Sequence, residues 1–111
     1  MTKAEKLRAL LNGSETILAP CAFDALSARC IEIAGFPMVG TTGFGIHGAY
    51  LGTPDNGLLT FNEMLSACTQ MAEAVGIPVM ADAEGGYGNA VNTYRTVREF
   101  EKAGLAGLFI E

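Results

Sequence analysis

The sequence has few basic residues and no long apolar run. Its 111 residues include 7 lysines and arginines against 12 aspartates and glutamates, which gives a net charge of −5 at pH 7. Phosphate binding needs clustered lysine and arginine side chains, so this charge balance argues against a nucleic-acid partner. No run of about eighteen apolar residues is present, so we expect no membrane-spanning helix and no membrane partner.

Paired cysteines and a signal peptide are also absent from the sequence. Cys21, Cys30 and Cys68 are widely spaced and form no CxxC pair, so neither a disulfide framework nor a zinc site is predicted. We expect all three to be buried, reduced thiols. Residues 1–15 are charged throughout and lack the apolar core of a signal peptide, which predicts a cytoplasmic location.

The residues that are present are typical of one globular domain at most. Hydrophobic residues make up 50% of the chain, which excludes a disordered protein. Four short apolar runs are bounded by glycine or proline and lack the alternation of a one-sided sheet, so they read as strands buried on both faces. These predicted strands are Ile17–Ala19, Met38–Thr41, Val79–Ala81 and Leu105–Ile110.

Helical segments separate the predicted strands. Capping boxes predict helices that begin at Thr2 and Thr60, Asp24 is predicted to cap a helix over residues 23–34, and another helix covers residues 92–103. Core-facing positions are expected at Met64, Cys68, Met71 and Val75, at Leu26, Cys30 and Ile33, and at Val97 and Phe100.

The alternation of strands and helices predicts an α/β protein with a parallel sheet. Four strands could form a small doubly wound sheet, or they could be half of an eight-stranded barrel, which typically needs about 250 residues. Long loops are predicted after the second and third strands, over residues 42–59 and 82–91. Both lie at the carboxyl ends of strands, where parallel α/β proteins place their chemistry.

Acidic residues occur where the predicted strands end. Asp82 and Glu84 follow the third strand, Glu111 follows the fourth, and Asp55 lies in the long loop after the second. Strand-end side chains of a parallel sheet face one rim, so these carboxylates could converge. Their repulsion would be relieved by a hard cation such as Mg²⁺. The alternative is that the acids are solvated or cap the next helix.

The loop after the second predicted strand contains the motif GFGIHG, residues 43–48. Its glycine spacing matches the dinucleotide fingerprint, but a true fingerprint opens a helix directly, whereas residues 49–54 are loop-like. We interpret the segment as a flexible loop whose backbone N–H groups near Thr42 and Gly43 could hold a carboxylate or an oxyanion. His47, the single histidine, is expected to be exposed or to pack within the loop rather than to be catalytic.

Several stretches of the chain resemble the isocitrate lyase/phosphoenolpyruvate mutase superfamily, including its 2-methylisocitrate lyase-like and carboxyphosphonoenolpyruvate phosphonomutase-like members. They cover nearly the whole chain in the right order, and the stretch around Asp82 is fairly specific. The matching stretches are FDALSAR at 23–29, PDxGLLT at 54–60, ADAExGYGN at 81–89, RTV at 95–97, ExAG at 101–104 and IE at 110–111.

The resemblance implies a (β/α)8 barrel that begins with a helix and assembles as a tetramer. Residues 1–111 would then be the N-terminal portion of a single barrel domain, from the first helix through the fourth strand. Because an open half-sheet leaves unpaired edges, we expect a chain truncated after that strand rather than a complete enzyme.

The resemblance also implies a chemistry. We expect a lyase or decarboxylase that depends on Mg²⁺, or on Mn²⁺, and acts on a carbon–carbon bond of a small 2-oxo or 2-hydroxy polycarboxylate through an enolpyruvate-like intermediate. The metal would stabilise the developing negative charge. One alternative is a P–C bond phosphonomutase or phosphonopyruvate hydrolase of the same superfamily. Another is a non-catalytic fragment or homologue.

Roles for individual residues follow from the same resemblance. Asp82, Glu84 and Glu111 match the metal-site acids of the family, and Asp55 matches the catalytic acid of the gating loop. Thr42 and Gly43 match the pair that holds the substrate carboxylate, with Thr42 also in a catalytic position. Phe44 and Asp82 complete the expected substrate contacts.

Some positions depart from the family pattern. Glu84 is one methylene longer than the usual aspartate, so it would displace a water or shift the metal. Phe109 stands where lyases commonly have histidine, and Gly40 and Phe44 change the shape of the pocket. Cys21 does not match the catalytic cysteine of the lyases, whose loop would follow the fourth strand.

Overall fold

A parallel sheet of four strands organises the chain. The computed structural model describes residues 1–111, and its strands lie in the order β1-β2-β3-β4, each parallel to the next. Sequential order is typical of a barrel wall, whereas a doubly wound sheet reverses its order part-way. The sheet therefore corresponds to the first half of a (β/α)8 barrel. The strands are β1 Cys21–Ala22, β2 Val39–Thr41, β3 Val79–Asp82 and β4 Gly107–Phe109.

Five helices precede, connect and flank the strands. The predicted capping boxes at Thr2 and Thr60 are confirmed, and Asp24 caps the helix after β1 as expected. In each case the side-chain oxygen accepts an N–H of the first turn that has no carbonyl partner. None of the helices combines the length and apolarity needed to cross a bilayer. The helices are α1 Lys3–Leu11, α2 Ala25–Ile33, α3 Gly43–Leu51, α4 Phe61–Ala74 and α5 Ala90–Lys102.

The first strand lies later in the chain than the sequence predicted. The expected strand Ile17–Ala19 is wrong, because β1 consists of Cys21 and Ala22. Cys21 pairs with Gly40 of β2, and the Gly40 N–H donates to the Pro20 carbonyl at 2.9 Å. The edge strand begins only after Pro20, which has no N–H of its own to donate.

A helix replaces the flexible loop that we predicted after β2. Thr42 caps α3 and the left-handed Gly52 ends it, with a φ of 65°. Glycine lowers helix propensity by about 1 kcal/mol per residue, which is why the sequence favoured a loop. The cap and the complete burial of Ile46 and His47 offset that cost. The glycine motif therefore does open a helix directly.

The core lies between the sheet and the helices α2, α4 and α5. The predicted stripe of α4 is confirmed, because Met64, Cys68, Met71 and Val75 are all buried. Phe100 of α5 is fully buried and its ring lies 6.0 Å from that of Phe61. The remaining members of the core cluster are Ala22, Ala28, Val39, Ile46, Leu59, Ala67, Ala72, Val79, Ala81 and Leu105.

The buried face of α2 differs from the predicted one. Leu26 and Ile33 are 72% and 75% exposed, and Cys30 is exposed as well. Ala28 is buried instead, and Ile31 packs against the core. Ala28 and Ile31 share one face of α2, whereas the residues predicted to be buried share the opposite face, which is turned away from the core.

Two further core expectations are corrected. Cys68 is buried as predicted, but Cys21 and Cys30 are exposed free thiols. Val97 of α5 is 36% exposed, so Phe100 alone of the predicted pair is buried.

We predict that Phe100→Ala lowers the free energy of unfolding by about 3–5 kcal/mol, because it removes a fully buried ring and leaves a cavity. Urea denaturation of the full-length protein measures this change. Val91→Ala is the matched control, since Val91 lies in the same helix and is 79% exposed. If the two variants lost equal stability, the placement of Phe100 in the core would be wrong.

Candidate active site

Asp82 ends β3 and is 8% exposed at the carboxyl edge of the sheet. Its backbone N–H donates to the Thr41 hydroxyl at 2.9 Å, which ties the ends of β3 and β2 together. Its Oδ1 accepts the Glu84 N–H at 2.8 Å. The other oxygen, Oδ2, faces Gly43 of α3.

Three carboxylates converge on Gly43. A methyl group placed at this glycine would lie 2.5 Å from Glu84 Oε1, 2.8 Å from Asp82 Oδ2 and 3.3 Å from Asp55 Oδ2. Any side chain at position 43 would therefore collide with the acids, which explains the need for glycine here. The structure brings Asp55, from the connection between α3 and α4, beside Asp82 and Glu84 at the end of β3.

Glu84 lies in an environment that disfavours its negative charge. Its Oε1 is buried and has no hydrogen-bond partner. Burial raises the pKa of Glu84, and the negative charges of Asp82 and Asp55 raise it further. The backbone of Glu84 also has a φ of 50°, a left-handed conformation that costs a non-glycine residue of order 1–3 kcal/mol.

Glu111 lies at the periphery of this cluster. Its N–H donates to the Glu84 carbonyl at 2.8 Å, so the backbone after β4 is fastened beside the acids. The residue is exposed, and its charge is the weakest of the named influences on the pKa of Glu84.

The first turn of α3 faces the acids with free backbone donors. The N–H groups of Gly43 and Phe44 have no carbonyl partner within the helix. The Thr42 N–H already donates to Ala22 O at 3.1 Å, and the Thr42 hydroxyl accepts the Gly45 N–H at 3.0 Å. Phe44 is 69% exposed and leaves this turn open to solvent.

His47 is buried in α3, so of the two expected roles exposure is wrong, and the side chain packs from a helix rather than within a loop. It is 1% exposed, with Nδ1 2.7 Å from the Gly43 carbonyl and Nε2 3.3 Å from the Leu59 nitrogen. Nδ1 also lies 3.4 Å from Asp55 Oδ1. Sequence reasoning missed these contacts because it treated the segment as a loop. In a helix, His47 falls one turn after Gly43, which places it beside the cluster.

An all-oxygen cation site fits these residues better than one that includes the histidine. Ligand atoms of His47, Asp55 and Glu84 lie within 4.8 Å of one another, but both His47 nitrogens already have partners. The acids offer Glu84 Oε1, without a partner, and oxygens of Asp82 and Asp55 that face the same point. Such a set suits Mg²⁺ or Mn²⁺.

The acids argue against a dinucleotide at the glycine motif. Although the motif opens a helix, its first glycine faces Asp55, Asp82 and Glu84. A pyrophosphate there would meet three carboxylates, so the glycine spacing has a different cause. Gly43 makes room for the acids, and a methyl group at Gly45 would lie 2.6 Å from the side chain of Thr42.

The comparison with known proteins decides the family. A family model described as phosphoenolpyruvate phosphomutase matches residues 7–111. The chain belongs to this family. This confirms the isocitrate lyase/phosphoenolpyruvate mutase superfamily predicted from the sequence motifs.

Two curated relatives in this superfamily align with nearly the whole chain. The chain is 49% identical over 111 residues to a 2,3-dimethylmalate lyase from Eubacterium barkeri, an alignment that covers 100% of this chain and 38% of the relative. It is 45% identical over 105 residues to an oxaloacetate decarboxylase from Rhodopseudomonas palustris strain BisB5, which covers 95% of this chain and 36% of the relative. The chain thus spans less than two fifths of the relatives it matches.

A solved structure of the family shares the fold. A phosphonopyruvate hydrolase in complex with oxalate and Mg²⁺ superposes with a TM-score of 0.94 at 34% identity, covering 99% of this chain and 38% of that one. The four-stranded sheet and its helices therefore match the first part of a superfamily structure.

We predict that Glu84 makes the metal-free protein less stable as the pH rises. The pKa of Glu84 is raised above its ordinary value of 4.5, so the folded state holds this proton more tightly than the unfolded state does. Its contribution to stability is therefore greatest below that value and is lost as the pH rises through the raised pKa. Glu84→Gln should remove this loss.

Urea denaturation in a chelator, from about pH 4 to about pH 8, measures the difference between wild type and Glu84→Gln. Glu15→Gln is the control, because Glu15 is exposed and distant in sequence from the cluster. A Glu84→Gln curve parallel to wild type at every pH would contradict the assignment.

Proposed function

We propose that the protein is a Mg²⁺-dependent lyase or decarboxylase that acts on a carbon–carbon bond of a small 2-oxo or 2-hydroxy polycarboxylate. The observation that supports this proposal most directly is the convergence of Asp55, Asp82 and Glu84 on Gly43. No lysine or arginine lies within salt-bridge distance of these acids. The partial charge of the α3 N-terminus is small beside three carboxylates, and a bound cation would supply the full positive charge that the cluster lacks.

The proposed metal-binding residues are Asp82, Glu84 and Glu111. The partnerless Oε1 of Glu84 and the Gly43-facing oxygen of Asp82 support this assignment. Glu111, at the periphery, suits contact through water, which Mg²⁺ commonly keeps in its coordination sphere. When bound, the metal would act as a Lewis acid that stabilises negative charge developing on the substrate oxygen. Mn²⁺ could replace it, because it accepts the same oxygen ligands.

The proposed substrate-binding residues are Thr42, Gly43, Phe44 and Asp82. Once a cation offsets the charge of the acids, the free N–H groups at the start of α3 would suit a carboxylate of the substrate, because a helix N-terminus carries partial positive charge. The Thr42 hydroxyl accepts from Gly45 and keeps its own proton to donate. We propose that Thr42 uses this proton to donate a hydrogen bond to the reacting oxygen, which makes it a catalytic residue.

Asp55 is the proposed catalytic acid–base group. It lies in the connection between α3 and α4, and its side chain is 32% exposed. One of its oxygens faces the cluster, so the carboxylate can exchange protons with solvent and still reach the reacting atoms. The names of two relatives, a lyase and a decarboxylase of carboxylic acids, support this reaction class.

A second candidate function is cleavage or rearrangement of a P–C bond. The likeness to a phosphonopyruvate hydrolase and the description of the matching family favour it. Parallel turnover assays with oxaloacetate, 2,3-dimethylmalate and phosphonopyruvate separate the two reactions. Absence of Mg²⁺-dependent binding of oxalate by the full-length protein would instead favour a non-catalytic homologue.

We also propose that residues 1–111 are the N-terminal portion of a single barrel domain in a cytoplasmic homotetramer. The exposure of Phe109 and Ile110 beside β4, both 40%, supports a covering of that edge. The chain covers 38% and 36% of two relatives, which supports the proposal of a partial barrel.

We predict that Asp82→Ala in the full-length protein lowers Mg²⁺-dependent kcat at least about 100-fold, since loss of support for a metal site commonly costs that much. Steady-state assays at several Mg²⁺ concentrations measure the change. Glu15→Ala, at an exposed acid, should keep wild-type activity. Near-normal kcat in Asp82→Ala would contradict the assignment.

We predict that Glu84→Asp is tolerated or improves Mg²⁺ affinity, because it restores the residue expected from the family and shortens the acid that is repelled by Asp82 and Asp55. Isothermal titration calorimetry with Mg²⁺ and oxalate measures the affinity. A large loss would show that the longer acid is adapted to this site.

A further inference from the structure

His47 connects two parts of the candidate site. Through Nδ1 it reaches the Gly43 carbonyl in the first turn of α3, and through Nε2 it reaches Leu59 at the end of the next connection. Asp55 lies between these anchors along the chain. Because the imidazole is 1% exposed, its contacts are made without competition from water.

The two partners define the protonation of the ring. A backbone N–H can only donate, so Nε2 must accept from Leu59 and carries no proton. A carbonyl oxygen can only accept, so Nδ1 must carry the proton that it donates to Gly43. His47 is therefore the neutral Nδ1–H tautomer, and an imidazolium would place two donors against each other at Leu59.

The two carboxylate oxygens of Asp55 face different groups, one towards His47 and the other towards Gly43. Oδ1 lies 3.4 Å from Nδ1, while Oδ2 faces the Gly43 side of the cluster. The protonated edge of the ring attracts Oδ1 and leaves Oδ2 available to the reaction. Residues 54–58 are exposed, so the chain around Asp55 has little packing of its own to fix it.

We propose that His47, as its Nδ1–H tautomer, is a positioning residue that fastens the Asp55 connection to the first turn of α3 and aims Asp55 at the carboxylate cluster. The connection covers residues 52–60. Apart from bonds to α4, it makes one hydrogen bond to a side chain outside the connection, in which the Leu59 N–H donates to His47. The catalytic role of His47 in positioning Asp55 rests on the proposed function, whereas its tautomer and its hydrogen bonds to Gly43 and Leu59 do not.

Two variants separate the two ends of the ring. The amide of His47→Asn reaches the position of Nδ1 and can still donate to Gly43, but it cannot reach Leu59. The amide of His47→Gln reaches the position of Nε2 and can still accept from Leu59. Tyr50→Phe is the control, because Tyr50 lies in α3 and is 53% exposed.

Hydrogen exchange and ¹⁵N NMR of the full-length protein test the anchor directly. In wild type, His47 should show a protonated Nδ1 and an unprotonated Nε2, with its signals identified by their loss in His47→Gln. The Leu59 amide should exchange at least about tenfold faster in His47→Asn, as expected for the loss of a buried hydrogen bond. In His47→Gln its protection should persist. A protonated Nε2, or unchanged Leu59 protection in His47→Asn, would overturn the proposal.

Kinetics test the consequence for Asp55. We expect kcat to fall about tenfold more in His47→Asn than in His47→Gln, with little change in KM, because misplacement of a reacting group affects the chemical step. A merely structural histidine would lower stability in both variants and leave kcat of the folded enzyme unchanged, which would overturn the role in positioning. If wild type has no Mg²⁺-dependent turnover, the proposed function fails, and the NMR and exchange results still decide whether His47 is the anchor.

Discussion

Repulsion between carboxylates that share one small volume governs this end of the sheet. The Glu84 backbone N–H donates to Oδ1 of Asp82 and holds these two acids together, and an oxygen of Asp55 faces the same side of Gly43. The left-handed backbone of Glu84 and its raised pKa are both costs of this arrangement. Costs of this kind persist where a function requires them, because other packing of the same acids would relieve both.

The fold produces the cluster from features that are individually ordinary. Parallel pairing brings the ends of β2 and β3 side by side, and the Thr41 hydroxyl fixes Asp82 by its backbone rather than by its charge. Thr42 then starts α3 immediately after β2, so the first turn of a helix faces the acids. Glycine at position 43 makes this approach possible. Carboxylates and free N–H groups therefore lie at one edge, an arrangement that suits a cation together with an anionic substrate.

Much of the fold and of the candidate site could be predicted from the sequence, and the predictions that were wrong have physical causes. The strands β2 to β4, the caps at Thr2 and Thr60 and the strand-end acids followed from local patterns. The helix α3 did not, because glycine-rich composition indicates a loop unless the cap and the buried face are known. Because α3 was not predicted, the burial of His47 and its contacts with Gly43 and Leu59 were not predicted either. The face of α2 was misassigned because spacing alone does not distinguish a small buried alanine from the larger apolar residues around it.

Cys68 and Tyr87, which lie beneath the cluster, supply no positive charge to offset the acids. Burial raises the pKa of Cys68 to about 11, so this thiol stays neutral at physiological pH. Burial raises the pKa of Tyr87 as well, with a further contribution from Glu84, and its hydroxyl is buried without a partner. Neutral groups in a region of low polarity leave the repulsion among the acids undiminished. Compensation must therefore come from the solvent side of the cluster, where Phe44 and Asp55 are exposed and an ion can enter.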